Sequence, residues 1–305
     1  MRLTLVLAAS TIALALPGAA AAHGRGRPFA VDDRVTIDVR PPAVEARVVG
    51  GDRSLWLRVD RGVRVVVLGA LREPTLRFGV DGVWANRASP TAAADGIVKA
   101  GGGWQRVAGG HAFAWHDHRL APRGAPGAGR WAVPLLVDGR RTALGGTFHR
   151  VPPPGGWPWV AGAAATAAAI AVGATSRRVH RPKLAVALAV VAGSAAVAAV
   201  TGFAVHQAPA GGVLWFQVAV AALAAAAAGC ALAFTKDSRR VVVAGVVGAV
   251  AALTVLGSVP IFRHGVVLSA LAPTLARAIC VTAFVCGVGA AVISVFADPV
   301  RERAR

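Results

Sequence analysis

The sequence predicts a β + membrane α protein, an extracytoplasmic β-sandwich (Ig-like) followed by a five-helix transmembrane bundle. Three observations carry that expectation. The chain is 55% hydrophobic and only 15% charged over 305 residues, too apolar for a soluble protein of this length. Its apolar residues come in short alternating runs up to about residue 155 and in near-continuous Ala, Val and Gly runs after it. Its cations gather in alternate connections between those long runs.

The N-terminus has the plan of a signal peptide over residues 1–22. Met1 and Arg2 give a basic start, Leu3 to Leu16 an apolar core too short to span a bilayer, and Pro17 to Ala22 a small-residue exit. Cleavage after Ala22 makes His23 the new N-terminus, with an α-amino group and an imidazole on one residue.

Residues 23–155 read as the extracytoplasmic domain. They hold 20 Lys and Arg against 11 Asp and Glu, a net of +9 within the whole chain's +19. Ser54–Val59 and Val63–Leu68 flank Asp60-Arg61-Gly62, and Leu76–Phe78 and Val83-Trp84 flank Asp81-Gly82. Trp131–Val137 and Thr142–His149 flank Asp138-Gly139, so three hairpins are expected. Further strands are expected at Val35–Val39, Val44–Val49, Trp104–Val107 and Ala112–His116, and unpatterned loops at Ser89–Gly103 and Ala121–Gly129. About 130 residues of short strands bury a core most economically as two facing sheets.

The Pro-rich linker Val151–Gly156 leads into residues 156–297, where five spans are expected, at about 157–174, 184–205, 213–234, 241–260 and 268–296. If the β-domain is outside, the inner connections and the basic tail 298–305 hold Arg177, Arg178, Arg181, Lys183, Lys236, Arg239, Arg240, Arg301, Arg303 and Arg305. The outer connections hold Arg263 alone. That asymmetry is the one expected of a multi-pass plasma-membrane protein with its C-terminus in the cytoplasm. Trp157, Trp159 and Trp215 fall near the expected outer ends.

Little chemistry is written into these segments. Between Asp138 and Asp298 the one acidic residue is Asp237, so the bundle lacks the carboxylates that cation-coupled transport uses. Arg277, one turn beyond Pro273, is expected to snorkel to the headgroups, and Gln217 to bond between helices. Cys230, Cys280 and Cys286 read as small hydrophobes, and Gly245, Gly248, Gly287 and Gly289 as contact points between helices. No nucleophile elbow, metalloprotease motif or phosphate-cradling loop occurs, so no enzyme is expected.

In the β-domain the string His111-Ala-Phe-Ala-Trp-His116-Asp117-His118-Arg119 stands out. On a strand, His116 and His118 share a face, and with His23 they make a three-nitrogen set suited to copper. His149, His206 and His264 enlarge the pool of outer donors. The same string also ends a strand without any metal, Asp117 taking backbone N–H groups and pairing with Arg119.

Val49–Asp52 with Leu55-Trp56-Leu57, Val66–Gly69, Glu73–Arg77, Asn86–Pro90, Trp115–Arg119 and Trp131–Pro134 together resemble a family of uncharacterised actinobacterial membrane proteins. Its members have a signal peptide, an extracytoplasmic β-domain with a Trp-His-Asp-His-Arg motif and C-terminal transmembrane helices. The resemblance covers most of residues 23–155 and implies architecture without an activity. In such proteins the motif tends to run on into another His-Trp, whereas Leu120-Ala121-Pro122 follows here. The expected partners are the lipid bilayer and an envelope protein or anionic envelope component bound by the β-domain, with no nucleic acid; the sequence leaves the oligomeric state open. Copper handling through His23, His116 and His118 is the alternative.

Overall fold

The computed structural model describes residues 29–49, 54–120, 129–207 and 237–296, with helical positions 218, 219, 225, 229 and 233. The signal peptide, His23, most of the span expected at 213–234 with Trp215, Gln217 and Cys230, and the basic tail lie outside the described residues.

The β-rich region begins with β1 (Ala30–Val31), β2 (Asp33–Val35), β3 (Val44–Val49), β4 (Ser54–Val59), β5 (Val65–Leu68), β6 (Pro74–Gly79) and β7 (Gly82–Asn86). After helix α1 (Pro90–Ala94) come β8 (Trp104–Ala108), β9 (Ala112–His116), β10 (Arg130–Val137) and β11 (Arg140–Arg150). Seven strands form an antiparallel sheet in the order β2-β11-β10-β5-β6-β7-β8, and β3-β4-β9 form a second. Period-2 alternation turns Leu55 and Leu57 of the small sheet, and Val65, Val67, Leu76, Phe78, Val133 and Leu135 of the large one, into a single buried cluster.

Two of the three expected hairpins form. Gly79 opposes Gly82 across Val80-Asp81, and Val137 opposes Arg140 across Asp138-Gly139. At the second turn Asp138 and Gly139 both take positive φ, 48° and 81°, the geometry that Asp-Gly accepts most readily. The hairpin expected across Asp60-Arg61-Gly62 does not form, because that turn carries the chain from one sheet to the other. β4 pairs with β3 and β9, and β5 with β6 and β10. Arg64 exchanges bonds with Asp138 instead, its N–H donating to Asp138 Oδ1 at 2.9 Å and its carbonyl accepting from Asp138 N at 2.9 Å. Turn chemistry signals a reversal of direction; which edges then pair is decided by burial.

The segment expected as a loop at 89–103 contains α1. Ser89 caps it by accepting from Ala92 N, and Pro90 occupies the first turn. Five residues are too few to show a helical period. The cap is extended by Glu73, whose carboxylate accepts from Ser89 Oγ at 2.8 Å, Thr91 N at 3.2 Å and Leu71 N at 3.0 Å. Burial raises the Glu73 pKa, but bonding from Thr91 and Ser89 outweighs it and brings it to about 2.

Among the described residues four helices are long and apolar enough to cross a membrane: α2 (Trp157–Thr175), α3 (Arg181–Gln207), α4 (Asp237–Leu256) and α5 (Pro273–Phe296). Several bounds differ from expectation: α3 begins three residues earlier and ends two later, and α4 begins four residues earlier. α4 stops at Leu256, before a 3-10 turn at Val259–Phe262 that carries Pro260, and α5 starts at Pro273 instead of near 268. α3, α4 and α5 meet through small side chains, among them Ala189, Ala192, Ala244, Ala251, Ala283 and Ala290. At the α4–α5 crossing Gly248 and Gly287 face one another, and a Cβ on Gly248 would lie 2.6 Å from the Gly287 carbonyl oxygen. Gly248→Val is therefore expected to force the two helices apart and cost about 1–3 kcal/mol. Gly193→Ala, whose Cβ would meet only Val247 at 3.7 Å, leaves stability unchanged; thermal melts in detergent check both.

The β-rich region and the helices are joined at the α4–α5 connection. β1 pairs with β12 (Val266–Val267), placing Ala30 opposite Val267 and Val31 opposite Val266. Leu268 N donates to Phe29 O at 2.9 Å, and the Phe29 ring lies edge-on to Phe203 of α3 at 5.0 Å. Asp32 Oδ1 and His264 Nδ1 are 2.9 Å apart, and Val151 N donates to Asp32 O at 2.8 Å, so the entry and exit of the β-rich region share one anchor.

Arg277 departs from its expected role. It is buried, its Nε donating to Ile261 O at 2.8 Å and its Nη2 to His264 O at 3.1 Å. The connection folds back over the helix and offers carbonyls that the guanidinium satisfies, so the cation holds the loop instead of reaching for headgroups.

Candidate functional site

Strand β9 ends at His116, and the chain then drops into a 3-10 turn at His118–Leu120, so His118 does not continue the strand as its spacing suggests. The reason is Asp117, which turns inward. It is 1% exposed and accepts from Trp115 Nε1 at 3.1 Å, Arg119 N at 3.0 Å, Arg119 Nε at 2.8 Å and Arg119 Nη2 at 2.7 Å. Arg119 Nη1 donates onward to Leu68 O at 2.8 Å. The Asp117–Arg119 pairing read from the sequence is present, directed into the domain. Burial pushes the Asp117 carboxyl up, but the Arg119 guanidinium and the other donors hold it below the usual carboxylate range.

With Asp117 pinned, the two histidines meet by a route other than strand alternation. The His116 and His118 rings are in edge contact, centroids 5.1 Å apart. His118 Nδ1 pairs with Asp95 Oδ1, the C-cap residue of α1, whose side chain is 3% exposed against 58% for His118. Burial raises the Asp95 pKa; the His118 contact lowers it in part, and the charge of Asp117 raises it again. In a neutral His118 ring, donation from Nδ1–H to Asp95 leaves the lone pair on Nε2. Asp95 was not legible as a partner, because its only local signal is Asp95-Gly96 at the end of a very short helix.

Beside these residues lies a cleft of about 280 Å³ lined by Ser54, Asp95, Gly96, Ile97, Phe113 and His116, among others. Ser54 stands directly across from His116 in the β4–β9 register. The structure thus brings the His116 ring against His118 and His118 onto Asp95. His149 is elsewhere, on β11 and bonded to Thr147 at 2.8 Å, and His264 is in the α4–α5 connection. His23 lies outside the described residues. Among the described residues no three His, Cys, Asp or Glu side chains are grouped to hold a metal ion. The arrangement offers a polar, imidazole-rimmed recess with one aspartate-oriented ring.

No protein-family model, curated protein or solved structure matches the chain.

Proposed function

We propose that the chain is a non-enzymatic, multi-pass plasma-membrane protein whose Ig-like β-sandwich faces outward and binds a partner or envelope component, with five helices as its anchor. The family resemblance carried by Trp115–Arg119 points the same way. The observation that supports this reading is the sorting of cations between the two ends of the helices. The end that carries β12 and touches β1 has Arg263 and the loop-bound Arg277, whereas the far end has Arg177, Arg178, Arg181, Lys183, Arg239 and Arg240. By the positive-inside rule that far end is cytoplasmic and the β-domain is outside. Proteinase K added to intact spheroplasts is expected to degrade the β-domain and spare a C-terminal tag. Protection of the domain until the membrane is permeabilised would reverse the orientation.

A second reading, extracytoplasmic copper handling, draws on the contact between the His116 and His118 rings, with His23 as the third donor. It requires one-to-one Cu(II) binding by the protein with a native His23 terminus, lost in His116→Ala/His118→Ala. The first reading requires calorimetry to show no such site.

A further inference from the structure

The outward face of the seven-stranded sheet carries an ordered row of cations and indoles. Register places Val66 of β5, Arg77 of β6, Trp84 of β7 and Arg106 of β8 side by side on adjacent strands. Trp104, opposite Asn86 one step along, reaches the same guanidinium. The Arg77 guanidinium lies 5.6 Å from the Trp84 ring centroid and 5.4 Å from that of Trp104. Core packing does not require this, since the buried face of the same strands is filled by Leu76, Phe78, Val83 and Ala85.

A guanidinium lying against two indoles keeps its charge and can still offer the edge of its fork, the geometry that receives a carboxylate or phosphate in two bonds. Asp81, at 3.8 Å from Arg77, is a loose and exposed counter-ion that a ligand can displace. Arg106 is exposed two strands from Arg77, at roughly 10 Å by the strand spacing. Two cations separated by an aromatic platform suit a ligand with repeated charges and apolar ring faces. A lone phosphate would use one of them only.

We infer that this sheet face, centred on Arg77, Trp84, Trp104 and Arg106, is a binding surface for an acidic polysaccharide of the envelope. The inference rests on the β-domain facing outward and names the class of its ligand. Trp104, the exposed indole, gives a pyranose ring its free surface while successive acid groups meet Arg77 and Arg106.

The test uses the full chain in phosphatidylcholine nanodiscs, titrated with polygalacturonate and with neutral dextran. Polygalacturonate binds and dextran does not. Trp104→Ala and Arg77→Gln each weaken binding about tenfold, Trp104→Phe retains most of it, and Arg58→Gln on the other sheet changes it less than about twofold. Equal losses in all the arginine variants, no effect of Trp104→Ala, or binding confined to phosphatidylglycerol nanodiscs would overturn the inference. The spheroplast protease experiment separates the two claims: a protease-accessible domain that ignores polygalacturonate sinks the ligand class alone, and an inaccessible one sinks the outward orientation itself.

Discussion

Replacing Asp117 with Asn is expected to destabilise the β-domain by about 3 kcal/mol, at the lower end of the range for breaking a buried ion pair. Asp117 is enclosed, and its carboxylate is the one acceptor shared by Trp115 Nε1 and the backbone and guanidinium of Arg119. Asn offers one acceptor and no charge, leaving the Arg119 guanidinium, 15% exposed, facing a neutral amide. The loss also spreads. Trp115 packs against Phe78 and Phe113, and Arg119 reaches Leu68 O at the end of β5, so both sheets depend on this residue. Urea denaturation followed by tryptophan fluorescence checks the value. Asp117→Leu combined with Arg119→Met is expected to lie closer to the parent than Asp117→Asn alone, because no buried charge is stranded.

Arg277→Leu is expected to be of comparable severity in the helical part. The substitution removes the donors to Ile261 O, His264 O and Gly265 O, and the buried Ile261 carbonyl left without a partner alone costs about 1–3 kcal/mol. Its consequence reaches beyond the bundle. The loop that these bonds hold carries His264 and β12, and through them Asp32 and β1. The variant is therefore expected to expose the connection near residues 259–267 to protease and raise hydrogen exchange at Val31 and Val267, while the buried amides of β10 remain protected. Unchanged exchange at Val31 would show that β1 does not depend on the loop.

Acid should weaken the β-domain. Glu73 ionises at about 2 in the fold against an ordinary 4.5, and Asp117 is also lowered, so the unfolded chain binds more protons than the folded one at acid pH. Their stabilisation is present above about pH 4.5 and is lost as the pH falls toward 2. Asp95 acts in the opposite sense: its raised pKa gives a contribution that is present below 3.8 and lost as the pH rises through the folded value. The large shift is that of Glu73, so the urea midpoint is expected to be lower at pH 3 than at pH 6, with Glu73→Gln flattening that dependence.

The sequence revealed the elements whose signals are periodic or long. Alternation located β3, β9, β10 and β11, Asp-Gly marked two real hairpins, and continuous apolar runs gave the four described helices. It missed what depends on pairing across distance. Nothing near Asp60-Arg61-Gly62 indicates that β4 and β5 belong to different sheets, and a two-residue strand such as β12 has no period at all. The candidate site divides in the same way. His116 and His118 stand out because they are close in sequence; their rings meet, but through the turn at Asp117 and not by the strand alternation that the spacing suggests. Asp95 is 23 positions from His118 and arrives on a helix whose only announcement is Ser89-Pro90. The role of Arg277 is not legible in the sequence because its partners are backbone carbonyls, which leave no trace in composition.

Cysteine labelling at the two ends of the molecule tests the membrane arrangement most directly. Gln105→Cys on exposed β8 and Lys183→Cys at the start of α3 are each introduced into the full chain, and intact cells are treated with a membrane-impermeant maleimide. Labelling of position 105 in intact cells, with position 183 labelled only after permeabilisation, is the predicted result. The reverse pattern, or equal labelling of both before permeabilisation, would contradict an outward-facing β-domain carried on the less basic end of a membrane-spanning helical bundle.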